Sequence, residues 1–178
     1  MNLYVVRHGR TNHNEMGLFN GRTDEDINDT GVEQAKYLRD QISDMDIDLI
    51  ICSPMKRARH TAEIINCNNV PVIYDERLIE RDTGEITLRP SHTVDREAYW
   101  NYYSTKYKNV ERISDLFKRV HSSLDDIKEK YKDKNILIVT HNGVSRAIYM
   151  YFNELPENGV ILDVGTQKNC EIKKYKLK

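Results

Sequence analysis

The stretch Leu3-Tyr4-Val5-Val6-Arg7-His8-Gly9 decides the fold, because it joins a buried strand to a polar turn. A short run of apolar and partly β-branched residues, such as 3–6, is typical of a strand covered on both faces of a sheet. In open α/β sheets, ligands bind beyond the carboxyl ends of the strands. We therefore predict that Arg7 and His8 lie at the ligand-binding edge of a sheet.

Similar apolar runs recur along the 178 residues and alternate with helical patterns. Further strands are predicted over 49–52, 70–73 and 136–139. A closing pair of strands is predicted over 160–164 and 170–175, and the alternating polarity of the second is typical of a sheet edge.

Four helices are predicted between these strands. The first begins with a capping box in which Glu33 reaches back to Thr30, and it ends near residue 42. Ser53 and Pro54 supply an N-cap and a first-turn proline for a helix that ends near residue 65. The other two cover 113–132 and 142–152. This alternation predicts a three-layer α/β/α sandwich on a mainly parallel mixed sheet, in a single domain spanning 1–178.

Residues 85–110 interrupt the alternation. The segment is polar and aromatic, and we interpret it as a short, partly helical cap inserted into the domain. The aromatic residues between Tyr99 and Tyr107 are expected to form mostly the underside of this cap, with one or two tyrosines facing a pocket.

The composition argues against several partners and locations. Lys and Arg number 27 and Asp and Glu 28, giving a net charge of -1, so there is no electrostatic case for binding nucleic acid or an anionic membrane. No apolar run is long enough to span a membrane, and no signal peptide is predicted. Three scattered cysteines without a CxxC motif favour a reducing compartment over a disulfide framework or a zinc site. A cytoplasmic location is the default expectation.

Three predicted strands end in residues suited to binding phosphate. His8 follows the first strand, Arg57 lies one turn beyond the second, and His141 follows the strand over 136–139. If these strands are parallel neighbours, the three side chains and Arg7 converge at one edge of the sheet. Arginine offers a planar fork of donors matched to phosphoryl oxygens, and the N-termini of the following helices add backbone donors. The pattern favours a phosphate site.

Each residue alone has a more ordinary interpretation. A single histidine at a strand end is more often a hydrogen-bonded structural group than a catalyst. Arg57, between Lys56 and Arg59, is by default one of three cations on an exposed helix face. The coincidence of all these residues at strand ends is what favours a functional site.

Five ordered blocks between residues 7 and 143 resemble the histidine phosphatase superfamily, the phosphoglycerate-mutase-like group. The blocks are Arg7-His8-Gly9 with Thr11 and Asn14, Asn20-Gly21-Arg22 with Ile27-Asn28-Asp29-Thr30-Gly31 and Gln34-Ala35, Ser53-Pro54-Met55-Lys56-Arg57-Ala58 with Thr61-Ala62-Glu63, Arg77-Leu78-Ile79-Glu80 with Gly84, and Val139-Thr140-His141-Asn142-Gly143. The resemblance implies phosphoryl transfer through a phosphohistidine, with no metal and no cofactor.

The resemblance also implies a role for each matching residue. His8 would be the nucleophile, Arg7, Arg57 and His141 would surround the phosphoryl group, and Glu80 would protonate the leaving oxygen and then activate water. The further phosphate-binding residues implied are Gly9, Thr11, Asn14, Gly21, Arg22 and Asn142.

Elementary electrostatics agrees with these roles. Imidazole attacks phosphorus only when neutral, and two adjacent guanidiniums disfavour a proton on His8. Glu80 must be protonated to act as an acid, which burial beneath the cap and the charge of the phosphate would favour. Without the motif, the simpler interpretation of Glu80 is a surface ion pair with Arg77 or Arg81.

The chain departs from the family pattern in three places. Arg10 stands where a glutamate or glutamine usually follows the glycine, Glu85-Ile86-Thr87 replaces the usual Trp-Glu-Gly, and Asn20 replaces a glutamine. With Arg89, His92 and Arg96, Arg10 is a candidate contact for a second acidic group on the substrate.

Three activities remain open. Hydrolysis of a phosphomonoester is favoured, because a cap of about 25 residues should leave water access to the phosphohistidine, whereas a mutase needs a lid that excludes it. The alternatives are phosphoglycerate-mutase-type transfer and a phosphate-binding regulatory module without turnover. The expected partner is a small phosphate-ester metabolite, and the chain is expected to be a monomer or a homodimer.

Overall fold

Five strands form one sheet in the order β3-β2-β4-β1-β5. A computed structural model describes residues 1–177, so Lys178, the last residue of the predicted domain, lies outside the described residues. The strands are β1 (Asn2–Arg7), β2 (Leu49–Cys52), β3 (Val72–Tyr74), β4 (Asn135–Thr140) and β5 (Ile172–Lys176). The first four run parallel, and β5 is antiparallel to β1. The predicted mainly parallel mixed sheet is confirmed.

The register of the sheet places the predicted site residues at one edge. Arg7 at the end of β1 lies beside Thr140 at the end of β4, and Cys52 at the end of β2 lies beside Val139. The polar residues that follow these three strands therefore emerge at neighbouring points.

Helices cover both faces of the sheet. The helices of the described residues are α1 (Asn12–Glu15), α2 (Asp29–Ile42), α3 (Lys56–Ile65), α4 (Arg96–Tyr99), α5 (Ile113–Lys130) and α6 (Asn142–Tyr151), and those on the sheet are α2, α3, α5 and α6. One apolar cluster joins α5 and α6 to the sheet, and a second joins α2 and α3 to its other face. The three-layer sandwich is thereby confirmed. Within residues 1–177, no helix is both long and apolar enough to cross a membrane.

Two predicted helix starts are wrong. Asn28 caps α2 by accepting from the Gly31 N–H at 3.0 Å, and Glu33 pairs with Lys36 rather than reaching back to Thr30. Helix α3 begins at Lys56, whose N–H donates to Asp24 Oδ1 at 2.9 Å. The Ser53 hydroxyl lies 2.8 Å from His141 Nε2 and accepts only a longer bond, of 3.4 Å, from the Met55 N–H. The prediction for α2 overlooked a local competitor, Asn28, whereas the prediction for α3 missed partners that are distant in sequence.

The strand predicted over 160–164 is also wrong. Only Val160 pairs, in an isolated bridge with Asn101. The Ile161 and Leu162 carbonyls instead accept hydrogen bonds from the Arg146 guanidinium, at 3.2 and 2.7 Å. The second strand of the predicted closing pair, over 170–175, does form the edge strand β5. It begins only at Ile172, because Cys170 has a left-handed backbone with φ of 54°.

The cap is partly helical, as predicted. It contains single 3-10 turns at Gly84–Ile86 and Ser91–Thr93, followed by α4. Tyr99 and Trp100 are buried with Ile86 and Ile161 in a third apolar cluster, whereas Tyr103 is exposed. The aromatic residues therefore serve mainly to attach the cap to the domain.

Candidate active site

His8 lies immediately after β1 and is buried, with 2% of its surface exposed. Its Nδ1 lies 2.7 Å from the Gly9 carbonyl oxygen. Because a carbonyl only accepts, Nδ1 carries the proton and the lone pair of a neutral imidazole is on Nε2. The backbone therefore fixes the tautomer that a nucleophilic Nε2 requires.

His141 lies beside His8, with 5.2 Å between the ring centroids. It is fully buried, and its Nε2 is 2.8 Å from the Ser53 hydroxyl. Its Nδ1 is buried without a hydrogen-bond partner among residues 1–177. A buried polar atom of this kind is costly unless a ligand supplies the missing partner.

Burial and neighbouring cations keep both histidines neutral. Desolvation holds the pKa of His8 well below its ordinary value, and the Arg57 and Arg7 charges lower it further. The pKa of His141 is lowered in the same way, by desolvation first and then by Arg57. Both imidazoles are therefore unprotonated at neutral pH.

Because the pKa values of His8 and His141 are lower in the folded protein than in the unfolded chain, the stability of the protein is predicted to decrease in acid. Below about pH 6.5 the unfolded chain binds a proton on each of these histidines, whereas the folded protein does not. The free energy of unfolding is therefore expected to fall as the pH drops below that value, by up to about 1.4 kcal/mol per pH unit for each histidine. Urea unfolding at a series of pH values down to about 5 measures the slope.

The matched control is His8→Gln, which removes one of the two sites of proton uptake. The free energy of unfolding of this variant should fall less steeply with decreasing pH than that of the wild type, by up to about 1.4 kcal/mol per pH unit. Identical slopes for the two proteins would contradict a lowered pKa at His8.

Two arginines flank the histidines. Arg57 is fully buried, and its guanidinium donates to the carbonyls of Thr23 at 2.6 Å and Gly21 at 2.7 Å. Arg7 donates to the Gln167 carbonyl at 2.8 Å. The Nε atoms of both arginines are buried without a partner within residues 1–177. The exposed helix face suggested for Arg57 is thus wrong, although its neighbours Lys56 and Arg59 are exposed.

Glu80 reaches the site from the segment that follows Leu78. Its carboxylate accepts from the Gly143 N–H at the start of α6, at 3.1 and 3.2 Å, and from the Arg81 N–H at 2.8 Å. A Cβ at position 143 would collide with Glu80 Oε1, so glycine is required for this approach. The simple ion pair considered for Glu80 does not form; Arg77 pairs with Asp75 and Asp126 instead.

These side chains surround a cavity of about 370 Å³. The predicted site residues that line it are Arg7, His8, Arg10, Asn14, Gly21, Arg57, Glu80, Arg96 and Asn142. Five arginines face this space, whereas Glu80 is the only acidic residue lining it within the described chain. The cavity is therefore suited to an anion.

Other predicted residues lie behind the cavity wall. His141 packs against His8, Thr11 caps α1 by accepting from the Asn14 N–H, and Gly9 lies against the Gly31 backbone. Arg22 and Arg89 are directed elsewhere: Arg22 donates to the Glu80 carbonyl at 3.3 Å, and Arg89 donates to the Thr93 carbonyl.

Tyr99 lines the cavity, as expected of one or two tyrosines of the cap. The cavity also contains residues that the sequence did not indicate. Trp100 forms part of its wall, and the Arg146 guanidinium stacks over Trp100 at 4.2 Å. Asn169 donates to the His8 carbonyl at 2.9 Å and to Asn14 Oδ1 at 3.2 Å. Arg146 was detectable in principle, because it lies one helical turn after Asn142, whereas Trp100 and Asn169 lie outside the helices and strands.

An α/β sandwich with a pair of histidines and several arginines at the carboxyl ends of its parallel strands has a site suited to a phosphate group. Residues 3–177 match the family model for the histidine phosphatase superfamily (branch 1). The chain therefore belongs to this superfamily, and the resemblance seen in the sequence is confirmed.

Relatives of known sequence agree with this assignment. The chain is 34% identical over 145 residues to the uncharacterized phosphatase PhoE of Bacillus subtilis, covering 81% of this chain and 73% of the relative. It is 28% identical over 155 residues to phosphoserine phosphatase 1 of Hydrogenobacter thermophilus, covering 83% and 74%. The solved structure of Bacillus stearothermophilus YhfR has the same fold, with a TM-score of 0.87 and 23% identity over 99% of this chain and 91% of that one.

Proposed function

We propose that this protein hydrolyses phosphomonoesters through a phosphohistidine formed on His8. The observation that carries the proposal is the convergence of unpartnered nitrogen atoms. His8 Nε2 makes no hydrogen bond within residues 1–177, and Arg7 Nε, Arg57 Nε and His141 Nδ1 are buried without partners there. Arg7 and Arg57 line the same cavity as His8, and the His141 ring packs against the His8 ring. A phosphoryl group placed against His8 would supply oxygens for these donors and compensate the local positive charge.

The chemistry proceeds in two transfers. The Nε2 lone pair of His8 attacks phosphorus, the bond to the ester oxygen breaks, and the leaving oxygen takes a proton from Glu80. Water then attacks the phosphohistidine, Glu80 accepts its proton, and the N–P bond breaks to release phosphate and free His8. Arg7 and Arg57 stabilise the charge on the transferring group in both steps.

The test is a phosphate-release screen over a panel of small phosphorylated metabolites, with His8→Ala as the control. Release by the wild type alone supports the proposal. A wild-type protein that releases no phosphate from p-nitrophenyl phosphate or any metabolite, while still binding inorganic phosphate, would instead support a regulatory module. A coupled assay with a phosphoglycerate addresses the mutase: free phosphate in stoichiometric amount, without isomer exchange, excludes it.

We further propose that the substrate carries a second acidic group. Arg10, Arg96 and Arg146 line the cavity beyond the two arginines nearest His8, and none forms a salt bridge within the described residues. Arg96 is exposed at the mouth and free to bind an anion. The substrate named for the relative phosphoserine phosphatase 1 carries a carboxylate besides its phosphate, as this arrangement requires.

Arg96→Met is therefore expected to lower kcat/KM about 10-fold for O-phosphoserine or a phosphoglycerate, because a charge-assisted hydrogen bond to the carboxylate is lost. The value for p-nitrophenyl phosphate, which has no second acidic group, should stay within about twofold. Arg89→Met is the matched control, because its guanidinium donates to Thr93 instead of facing the cavity. Equal effects of Arg96→Met on all substrates would contradict the proposal.

The domain assignment also remains a proposal. We propose that 1–178 form a single domain, since one sheet and the apolar clusters on its two faces involve residues from both ends of the chain.

A further inference from the structure

A bidentate ion pair lies behind the segment that carries Glu80. Arg119 of α5 and Glu111, just before that helix, are joined by Nε–Oε1 at 2.7 Å and Nη2–Oε2 at 2.9 Å. Their side chains are only 17% and 11% exposed. Neither residue lines the cavity, so the pair has no direct access to substrate.

The same arginine binds the main chain leading to Glu80. Arg119 Nη1 donates to the carbonyls of Arg77 at 2.6 Å and Ile79 at 2.7 Å. Its Nη2 also donates to the Glu80 carbonyl at 3.3 Å. One planar guanidinium thus contacts three carbonyls and both oxygens of a carboxylate, a set of partners that a lysine ammonium cannot serve together.

Glu111 binds the main chain on the other side of Glu80. Its Oε2 accepts from the Asp82 N–H at 3.2 Å, and its own N–H donates to the Asp82 carbonyl at 3.0 Å. Its carbonyl accepts from Arg81 Nε at 2.8 Å. Arg22 adds a contact of 3.4 Å to the same carboxylate. Residues on both sides of Glu80 are therefore attached to one ion pair.

This attachment matters because the segment has no regular structure of its own. Residues 79–83 lie between the 3-10 turns Glu76–Leu78 and Gly84–Ile86 and form no strand or helix. Without a ladder of backbone hydrogen bonds, side-chain donors and acceptors determine where its main chain lies. The position of the Glu80 carboxyl depends directly on that main chain.

We infer that Arg119 and Glu111 are positioning residues, which place the Glu80 carboxyl at the distance from the leaving oxygen that proton transfer requires. The inference rests on the proposed function, since it assigns Glu80 as the acid. General acid catalysis contributes about 10²- to 10⁴-fold, and a displacement of about 1 Å removes a large part of such an effect.

The experiment compares two aryl phosphates whose leaving groups differ in basicity. Nitrophenolate leaves readily without a proton, whereas phenolate benefits from protonation by Glu80. We expect Arg119→Met to lower kcat/KM for phenyl phosphate about 10- to 100-fold and kcat/KM for p-nitrophenyl phosphate much less. The comparison uses kcat/KM because this constant reports the formation of the phosphohistidine, whereas the later attack of water is common to both esters. Arg119→Lys should restore only part of the loss, because it keeps the charge but not the planar fork. Glu111→Gln should show the same selective effect on phenyl phosphate.

Two controls separate positioning from general damage to the fold. In a Glu80→Gln background, Arg119→Met should lower kcat/KM for phenyl phosphate further by less than about threefold. The effects of two residues that act through the same group are not additive. Arg77→Met removes ion pairs with Asp75 and Asp126 that link the same region to α5, but no contact to residues 79–82. It should lower activity on both esters alike or not at all.

The outcomes distinguish this inference from the proposed function. Equal losses on both esters, in the wild-type and Glu80→Gln backgrounds alike, would make Arg119 a purely structural residue and overturn the inference. Unchanged kcat/KM values in Arg119→Met would overturn it as well. If Arg119→Met fails to unfold cooperatively on heating, Arg119→Lys and Glu111→Gln decide between the same outcomes. By contrast, an inactive wild type would remove the proposed function itself, and a fully active Glu80→Gln would remove the acid role of Glu80 on which the inference rests.

Discussion

His8→Ala is expected to lower kcat for phosphomonoester hydrolysis by at least about 10⁴-fold, because the substitution removes the nucleophile on which both transfers depend. The imidazole Nε2 is oriented by the hydrogen bond from Nδ1 to the Gly9 carbonyl, and alanine leaves no other nucleophile at that position. Steady-state phosphate release measures the loss. Acid- and alkali-quenched reactions with radiolabelled substrate measure the intermediate, since phosphohistidine is labile to acid and stable to alkali.

His60→Ala is the matched control for this substitution. His60 is partly exposed, pairs with Asp26 and does not line the cavity, so its loss should leave turnover unchanged. Label stable to alkali should form in the wild type and in His60→Ala and be missing from His8→Ala. Substantial turnover by His8→Ala, or covalent label on another residue, would contradict the proposed mechanism.

Arg57→Met is expected to lower kcat/KM by about 10³-fold, the scale on which a single arginine contributes to phosphoryl transfer. The substitution removes a fully buried positive charge and leaves the carbonyls of Gly21 and Thr23 without their donors. It should therefore also lower the free energy of unfolding, by about 1–3 kcal/mol. Kinetics on p-nitrophenyl phosphate and urea unfolding measure the two effects.

Arg59→Met provides a close control, because it removes the same charge two positions along α3 from an exposed site. It should leave kcat/KM within about twofold and change the free energy of unfolding by less than about 0.5 kcal/mol. If the two variants behaved alike, the effect would come from net charge rather than from the position of Arg57 in the cavity.

The sequence predicted those parts of the site that are attached to strand ends. His8, Arg57 and Asn142 follow buried apolar runs whose character is visible locally, and a parallel sheet brings such ends together. The fold class followed from the same alternation of strands and helices. These predictions depended on patterns that span only a few residues.

The remaining parts depended on partners far along the chain. The walls formed by Trp100 and Asn169 come from irregular segments whose placement no periodicity encodes. Ser53 has the local pattern of an N-cap, yet its hydroxyl pairs with His141, 88 positions away. Arg119 lies in the middle of an amphipathic helix, and nothing in that pattern shows that its guanidinium reaches the carbonyls near Glu80.

The pairing of β1 with β4 has a consequence for how the protein is made. The two strands lie side by side although Asn2 and Asn135 are 133 positions apart, and two neighbours of His8, His141 and Asn169, come from still later residues. During synthesis β1 leaves the ribosome long before β4 has been made. The backbone groups of β1 that pair with β4 therefore stay without this partner for most of translation. A site that contains both His8 and His141 therefore cannot assemble until residues beyond β4 have been synthesised.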